Sequence, residues 1–136
     1  MKRTRHMLIV LASLIACQGM QAEELLSPSG DLRLDFRLAE GGAPVYSLEY
    51  KGEPVIAESH LGIRLNNSGL FDWFEIADVS RSEFDETWEP VWGEESEIRD
   101  RHNEMAVTLR QTSSDRRMII RFRLFDDGLG FRYEFP

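Results

Sequence analysis

The chain has 136 residues, enough for one domain, and a net charge of −8 at pH 7. This acidity disfavours nucleic acids and anionic membrane surfaces as partners, and it favours neutral ligands, cations or simple solubility. Because Cys17 is the single cysteine, an intrachain disulfide and a cysteine-type zinc site are both excluded.

The first 22 residues have the composition of a secretion signal. Three basic residues precede an apolar run at 7–16, which is about half the ~20 residues needed to span a bilayer. We therefore predict a signal peptide over residues 1–22, cleaved after Ala22, and a periplasmic or secreted product with no transmembrane segment. Residues 14–17 also resemble a bacterial lipobox, so a membrane-attached lipoprotein, lipidated on Cys17, is the alternative. Cleavage leaves 13 basic and 24 acidic residues, a net charge of −11.

Strand-like segments follow. Apolar and polar residues alternate along 32–38, 46–50 and 61–65, and an aromatic-rich strand is predicted at 71–79. Turn-forming clusters separate these segments at 40–43, 51–52 and 66–69. A charged connection at 94–101, with room for a short helical turn, precedes a strand that begins at Met105. Strands and turns at intervals of roughly eight to twelve residues predict an all-β fold, an antiparallel β-sandwich.

Two strand-like runs near the C-terminal end, 118–125 and 129–135, predict a hairpin. Asp127-Gly128 between them suits a type I′ turn. Pairing across a two-residue loop opposes Leu124 with Phe131, Phe122 with Tyr133, and Ile120 with Phe135. On the polar face it opposes Arg121 with Glu134 and Arg123 with Arg132, and the second pair needs a nearby carboxylate. These arginines are either a mild sign of a site or surface residues whose stems cover the sheet.

The segment Glu86–Glu95 holds two tryptophans, a proline and four carboxylates. Pro90 removes a backbone donor and Gly93 lets the chain turn, so we predict a long structured loop. Aromatic rings beside carboxylates commonly hold sugars, which makes Trp88, Glu89, Trp92, Glu94 and Glu95 candidates for substrate binding or domain docking. In the docking interpretation both tryptophans are largely buried, in the sandwich or at a domain junction, with Glu94 and Glu95 nearer the edge.

Three polar residues soon after this loop, His102, Asn103 and Glu104, are further candidates. They precede a predicted strand and are placed to line whatever the loop faces, although a solvated turn is equally consistent with them. The sequence contains no phosphate-binding loop, nucleophile elbow or paired-histidine metal motif. Adjacent Glu94 and Glu95 point to opposite sides of an extended chain and make a poor acid/base pair. We therefore assign no catalytic and no metal-binding residue.

Five runs together resemble the N-terminal region of glycoside hydrolase family 97. The five runs, which occur in the family's order, are Leu26–Gly30, Phe84–Glu95, Ile98-Arg99, His102–Val107 and Arg121–Phe135. The Trp-Glu-Pro-Val-Trp-Gly-Glu-Glu sequence within the second run is specific to the family. The resemblance covers essentially all of residues 23–136.

This resemblance implies a large secreted enzyme with an N-terminal β-super-sandwich like that of galactose mutarotase, a (β/α)₈ catalytic barrel and a small C-terminal β domain. Residues 23–136 would form the first part of the sandwich, so we expect the chain to be truncated at its C-terminal end. Family members hydrolyse α-glucosides or α-galactosides, with inversion or retention, and usually hold calcium in the active site.

The resemblance also implies that the catalytic carboxylates belong to the barrel. The chain alone is then expected to be inactive and to bind no calcium. Its partners would be the barrel of the same polypeptide and an α-linked oligosaccharide. The alternative is a freestanding carbohydrate-binding or interaction module without hydrolase activity.

Overall fold

The computed structural model describes residues 22–66 and 68–136. The predicted lipidation residue Cys17, and the predicted signal peptide except Ala22, lie outside these described residues. Within them the chain forms ten strands, arranged as two four-stranded antiparallel sheets and a small hairpin. The described part of the chain has no helix of the length and apolarity that crossing a bilayer requires.

The first sheet contains four strands in chain order: β1 (Ala22–Leu26), β2 (Leu32–Ala39), β3 (Ala43–Tyr50) and β4 (Glu53–His60). Alternation along β2 buries Leu34 and Phe36 completely and leaves Arg33 exposed. Lys51 and Gly52 adopt φ angles of 52° and 82° and close the β3–β4 hairpin, which confirms the turn predicted at this position.

A small hairpin, β5 (Ile63–Leu65) and β6 (Ser68–Leu70), leads to the second sheet. That sheet contains β7 (Phe74–Trp88), β8 (Ile98–Gln111), β9 (Arg117–Leu124) and β10 (Leu129–Glu134), again paired in chain order. β7 and β8 are the longest strands, at 15 and 14 residues. Beyond the sandwich they continue as a two-stranded ribbon, because β9 pairs with β8 only from Asn103 to Arg110, whereas β7 pairs with β8 back to Ile98.

The core lies between the two sheets. Phe36 of β2 packs against Phe122 of β9 with ring centroids 5.8 Å apart, and Tyr46 of β3 packs 5.9 Å from Phe131 of β10. Fully buried aliphatic side chains from β8 and β9 fill the space around them: Met105, Val107, Leu109, Met118, Ile120 and Leu124. This arrangement confirms the predicted antiparallel β-sandwich.

Hydrogen bonds join the two sheets along the edge nearest β1. The Asn103 amide donates to the Leu26 carbonyl at 2.8 Å, and the Ser29 backbone N–H donates to Asp126 Oδ1 at 2.7 Å. Arg81 of β7 pairs with Glu23 of β1 at 2.6 Å. These contacts fix how the second sheet lies over the first.

A short 3₁₀ turn, Glu40–Gly42, connects β2 to β3 and contacts the start of β7. Trp73 donates its backbone N–H to the Gly41 carbonyl at 2.7 Å. At Gly42 a Cβ atom would lie 2.5 Å from the Phe74 carbonyl oxygen, so only glycine fits there without movement of the backbone.

The C-terminal hairpin forms, but its predicted register is wrong by two residues. Leu124 pairs with Leu129 and Phe122 with Phe131, so the connection has four residues, 125–128. The Phe125 N–H donates to the Gly128 carbonyl at 2.8 Å, and Gly128 does not adopt the positive φ of a type I′ turn. Contacts outside the hairpin hold the longer loop: the Phe125 ring lies 4.9 Å from His102, and Asp126 accepts the bond from Ser29.

Candidate functional site

The predicted Trp-rich loop is shorter than expected, because β7 runs through Trp88 and β8 begins at Ile98. Three predicted boundaries are therefore wrong. They are the loop start at Glu86, the end of the preceding strand at 79, and the connection at 94–101. A backbone ladder that is continuous from Asp78 to Trp88 extends the strands, and Arg99 donates two hydrogen bonds of 2.7 Å to Asp85. Apolar alternation does not mark this part of the ribbon, because both of its faces are polar and exposed.

We call residues 88–97 the ribbon tip. Trp88 is 52% exposed and Trp92 is 89% exposed, so of the two expected places of burial the sandwich does not apply in this chain. Glu89, Glu94 and Glu95 are also exposed. The physical reason is position: the tip lies beyond the sandwich, where the first sheet does not reach it. Burial at a junction with another domain stays a prediction.

His102, Asn103 and Glu104 lie inside β8, where a turn was the alternative, and the strand divides them between its two faces. Asn103 points toward the first sheet and bonds the Leu26 carbonyl. His102 and Glu104 point away from it. We call this side of the second sheet the outer face, and its central residues are Phe84, His102, Glu104, Arg121, Arg123, Phe125, Gly130, Arg132 and Glu134.

His102 is 1% exposed although it stands on the outer face. Phe84 of β7 stacks on its ring at 4.8 Å and Phe125 covers its other side at 4.9 Å. Asp100, two residues back on the same face, lies 2.5 Å from Nδ1. Nε2 is buried and has no hydrogen-bond partner among the described residues. A buried nitrogen of this kind carries a free-energy cost that a partner would relieve.

The acid that the hairpin arginines need is Glu104. Its carboxylate is nearly buried and accepts bonds from Arg121 Nη1 at 2.5 Å and Arg123 Nε at 2.9 Å. Arg121 also holds Glu134 through Nε and Nη2, at 2.7 and 3.0 Å. The predicted contact between Arg121 and Glu134 is therefore confirmed, but diagonally, because Arg121 directly opposes Arg132.

These bonds control protonation in the network. Hydrogen bonds from Arg121 and Arg132 lower the pKa of Glu134 to about 2. Burial acts to raise the pKa of Glu104, but the bonds from Arg121 and Arg123 outweigh it and hold that pKa below its ordinary value. Both carboxylates are therefore ionised at neutral pH and committed to arginines.

The outer-face carboxylates do not suit a calcium centre, because arginines already occupy their oxygens. Nor does any group of three or more His, Cys, Asp or Glu side chains in residues 22–66 and 68–136 approach metal-binding geometry.

Sequence reasoning missed Phe84, Phe125 and Asp100 around His102, and it missed Gly130 beside the arginines. The pairing of Arg123 with another arginine was the available signal for a nearby acid. It could not identify Glu104, which was assigned to a different candidate group and lies one strand away.

Residues 25–136 match the family model described as Glycosyl-hydrolase 97 N-terminal. A Glycoside Hydrolase Family 97 enzyme from Pseudoalteromonas sp. strain K8, solved with panose, superposes with a TM-score of 0.78 and 31% sequence identity over 84% of this chain and 17% of that chain. The same enzyme has been solved with acarbose, with the same degree of similarity.

A beta-arabinopyranosidase structure shares the fold, with a TM-score of 0.77 and 23% identity over 85% of this chain and 18% of that chain. The chain thus spans less than a fifth of the length of these proteins.

Proposed function

This chain belongs to the glycoside hydrolase family 97 N-terminal family, and from that membership we propose that it is the non-catalytic β-sandwich part of a secreted α-glycosidase of the α-glucosidase or α-galactosidase type. In this proposal the sandwich packs against a catalytic barrel of the same polypeptide and completes the enzyme. The observation that carries it is the match of residues 25–136 to the family model, together with the similarity to a family 97 enzyme of which this chain covers 17%.

The chemistry of the outer face supports a non-catalytic role. A glycosidase needs one carboxylic acid that donates a proton and a second carboxylate that acts as base or nucleophile. Glu134, with its pKa lowered to about 2, and Glu104 are both ionised and bonded to arginines, so neither is suited to donate a proton near neutral pH. The catalytic pair would then belong to the barrel, and the calcium of the intact enzyme would be held outside residues 23–136.

The relatives' ligands support the substrate class. The Pseudoalteromonas enzyme was solved with panose and with acarbose, and panose is an oligosaccharide of α-linked glucose. We extend this class, an α-linked oligosaccharide, to the intact enzyme that this chain would help to form.

The ribbon tip is the part of the chain best suited to dock on the barrel. Trp88 and Trp92 provide large aromatic surfaces with few rotatable bonds, and Pro90 restricts the backbone between them. Glu89, Glu94 and Glu95 would form the polar rim of such an interface.

Two measurements test the proposal. Purified residues 23–136 are expected not to hydrolyse p-nitrophenyl α-glucoside or α-galactoside, with or without calcium; calcium-stimulated turnover free of contaminating enzyme would overturn this. The coding sequence is expected to continue in frame into an α/β barrel. A stop codon with no barrel encoded nearby would instead favour the freestanding module.

One observation favours that second function: Trp92 is almost fully exposed beside three glutamates, as in a sugar-stacking site. Calorimetric titration of residues 23–136 with panose tests it, with Trp92→Ala as the binding variant and Trp73→Ala as the control. Trp73 is also exposed but lies away from the tip, at the start of β7. Saturable binding that only Trp92→Ala removes would support a carbohydrate-binding module.

A further inference from the structure

A depression of about 160 Å³ lies on the outer face above Gly130. Its lining residues are Arg121, Arg123, Gly130, Phe131 and Arg132. Gly130 opposes Arg123 across the β9–β10 ladder, and Arg132 follows two positions along on the same face. A Cβ atom at Gly130 would meet nothing within 4 Å, so the missing side chain leaves this space open. It has room for several water molecules or a small organic anion.

The three arginines differ in how many of their donors are used. Arg121 is fully engaged, with Nε and Nη2 on Glu134 and Nη1 on Glu104. Arg123 bonds Glu104 through Nε alone, and Arg132 bonds Glu134 through Nε alone. Among the described residues no acceptor meets the terminal Nη atoms of Arg123 or Arg132. Two guanidinium ends with free N–H groups therefore border the same depression.

Charge points to the kind of group that fits there. Three arginines and two glutamates leave this cluster with one positive charge in excess, on a chain whose net charge is −8. A monoanion balances that excess, whereas a phosphate dianion would reverse it. The planar guanidinium matches the two oxygens of a carboxylate, and Arg121 already holds Glu134 in this way.

From these observations we propose that the depression above Gly130 is a binding site for one carboxylate group, held by the guanidinium ends of Arg123 and Arg132. The group belongs either to an acidic side chain of another protein segment or to a small organic acid such as a sugar acid. This site is separate from the ribbon tip and does not depend on the glycosidase assignment.

The first test is a titration of residues 23–136 with sodium acetate at constant ionic strength, followed by the amide NMR signals of Arg123, Gly130 and Arg132. Saturable shifts at these three positions, absent with sodium chloride, are expected. Arg132→Gln should weaken acetate binding at least tenfold. The control is Arg117→Gln, which removes an exposed arginine from the same strand face and should leave the binding unchanged. Equal shifts with chloride, or equal effects of the two variants, would overturn the proposal.

A second test places the carboxylate on the chain itself. Gly130 has no positive φ and open space around it, so side chains are tolerated there. Gly130→Glu should have a higher melting temperature than the uncharged, equal-sized Gly130→Gln at neutral pH, and it should no longer bind acetate. The difference in melting temperature should vanish at a pH that protonates the new glutamate. A glutamate variant no more stable than the glutamine variant would contradict the site.

Further ligands distinguish the source of the carboxylate. Glucuronate binding at least tenfold more tightly than acetate would support a sugar-acid ligand. Equal, weak binding of the two would support a docked protein side chain, since only the carboxylate is then recognised. Tighter binding of inorganic phosphate than of acetate would show that the carboxylate assignment is wrong.

Discussion

Glu134 connects two arginines, and this bonding makes the folded state sensitive to acid. Its pKa falls from an ordinary value of 4.5 to about 2 on folding, because Arg121 and Arg132 donate to its carboxylate. The unfolded chain then binds the proton first as the pH drops. The stabilisation is fully present above about pH 4.5 and is lost as the pH falls toward 2, and the lowered pKa of Glu104 acts in the same direction.

We expect the free energy of unfolding, measured by urea titration at several pH values, to decrease between pH 4.5 and 2. The decrease should be smaller in Glu134→Gln, which cannot ionise at this position. Glu40→Gln, a change at an exposed residue of the 3₁₀ turn, should keep the decrease of the unaltered protein. Equal pH dependence in all three proteins would show that the arginine bonds do not stabilise the folded state.

The face of the sheet on which a residue lies was predictable from the alternation of apolar and polar residues. Its burial was not predictable where the covering side chains come from other strands. Arg121 and Arg123 were assigned to the polar face correctly although the register was wrong, because a shift of two residues keeps each side chain on its face. Burial of His102 could not be predicted, since Phe84 and Phe125, which enclose it, are 18 and 23 positions away in the chain.

At the scale of elements, the turn between β2 and β3 allows a matched comparison of two glycines. Gly41 and Gly42 have similar positive φ angles, 73° and 70°, but only Gly42 lies against the backbone of Phe74. Gly41→Ala should cost about 1 kcal/mol from the left-handed backbone alone. Gly42→Ala should cost about 1–3 kcal/mol more, since the new methyl group forces the turn away from β7. Chemical denaturation of both variants measures the difference, and equal costs would show that the turn yields easily.

We expect substitutions of tryptophan in the ribbon tip to have different effects in the isolated chain and in an intact enzyme. In residues 23–136, Trp92→Ala should change the free energy of unfolding by less than about 0.5 kcal/mol, because the side chain is 89% exposed. Phe122→Ala, in the core, should cost about 3–5 kcal/mol and serves as the positive control. Calorimetry or urea titration measures both.

In the intact enzyme we expect Trp88→Ala and Trp92→Ala to lower the melting temperature, because docking would bury both rings. Melting temperature and KM should be measured together for each variant. Unchanged melting with a sharply weakened KM would mean that the tip contacts the sugar directly, and the docking account would then be wrong.

Elements were predictable where local residues decide the geometry. Lys51-Gly52 adopts the positive φ angles that a two-residue hairpin needs, and that turn is confirmed. Asp127-Gly128 carries the same local preference, but contacts of Phe125 with β8 and of Asp126 with the turn between β1 and β2 impose a longer loop. The ribbon was missed because backbone pairing and the Arg99–Asp85 ion pair hold it, without an apolar face that alternation would reveal.

At the scale of the whole molecule, the export of the chain stays a prediction. Mass spectrometry of the protein from its native host should find a soluble species that begins at Glu23, as cleavage after Ala22 requires. A diacylated or triacylated N-terminus at Cys17, together with membrane association, would establish the lipoprotein route instead.

The pairing of every strand with its neighbour in the chain has a consequence for folding. Each sheet forms by closing short loops, which costs little entropy and allows rapid folding. The first sheet, complete at His60, can therefore assemble before β7–β10 have formed the second sheet. Until then the apolar side chains of Leu34 and Phe36, buried only between the sheets, have no cover. Apolar surface exposed during that interval favours aggregation.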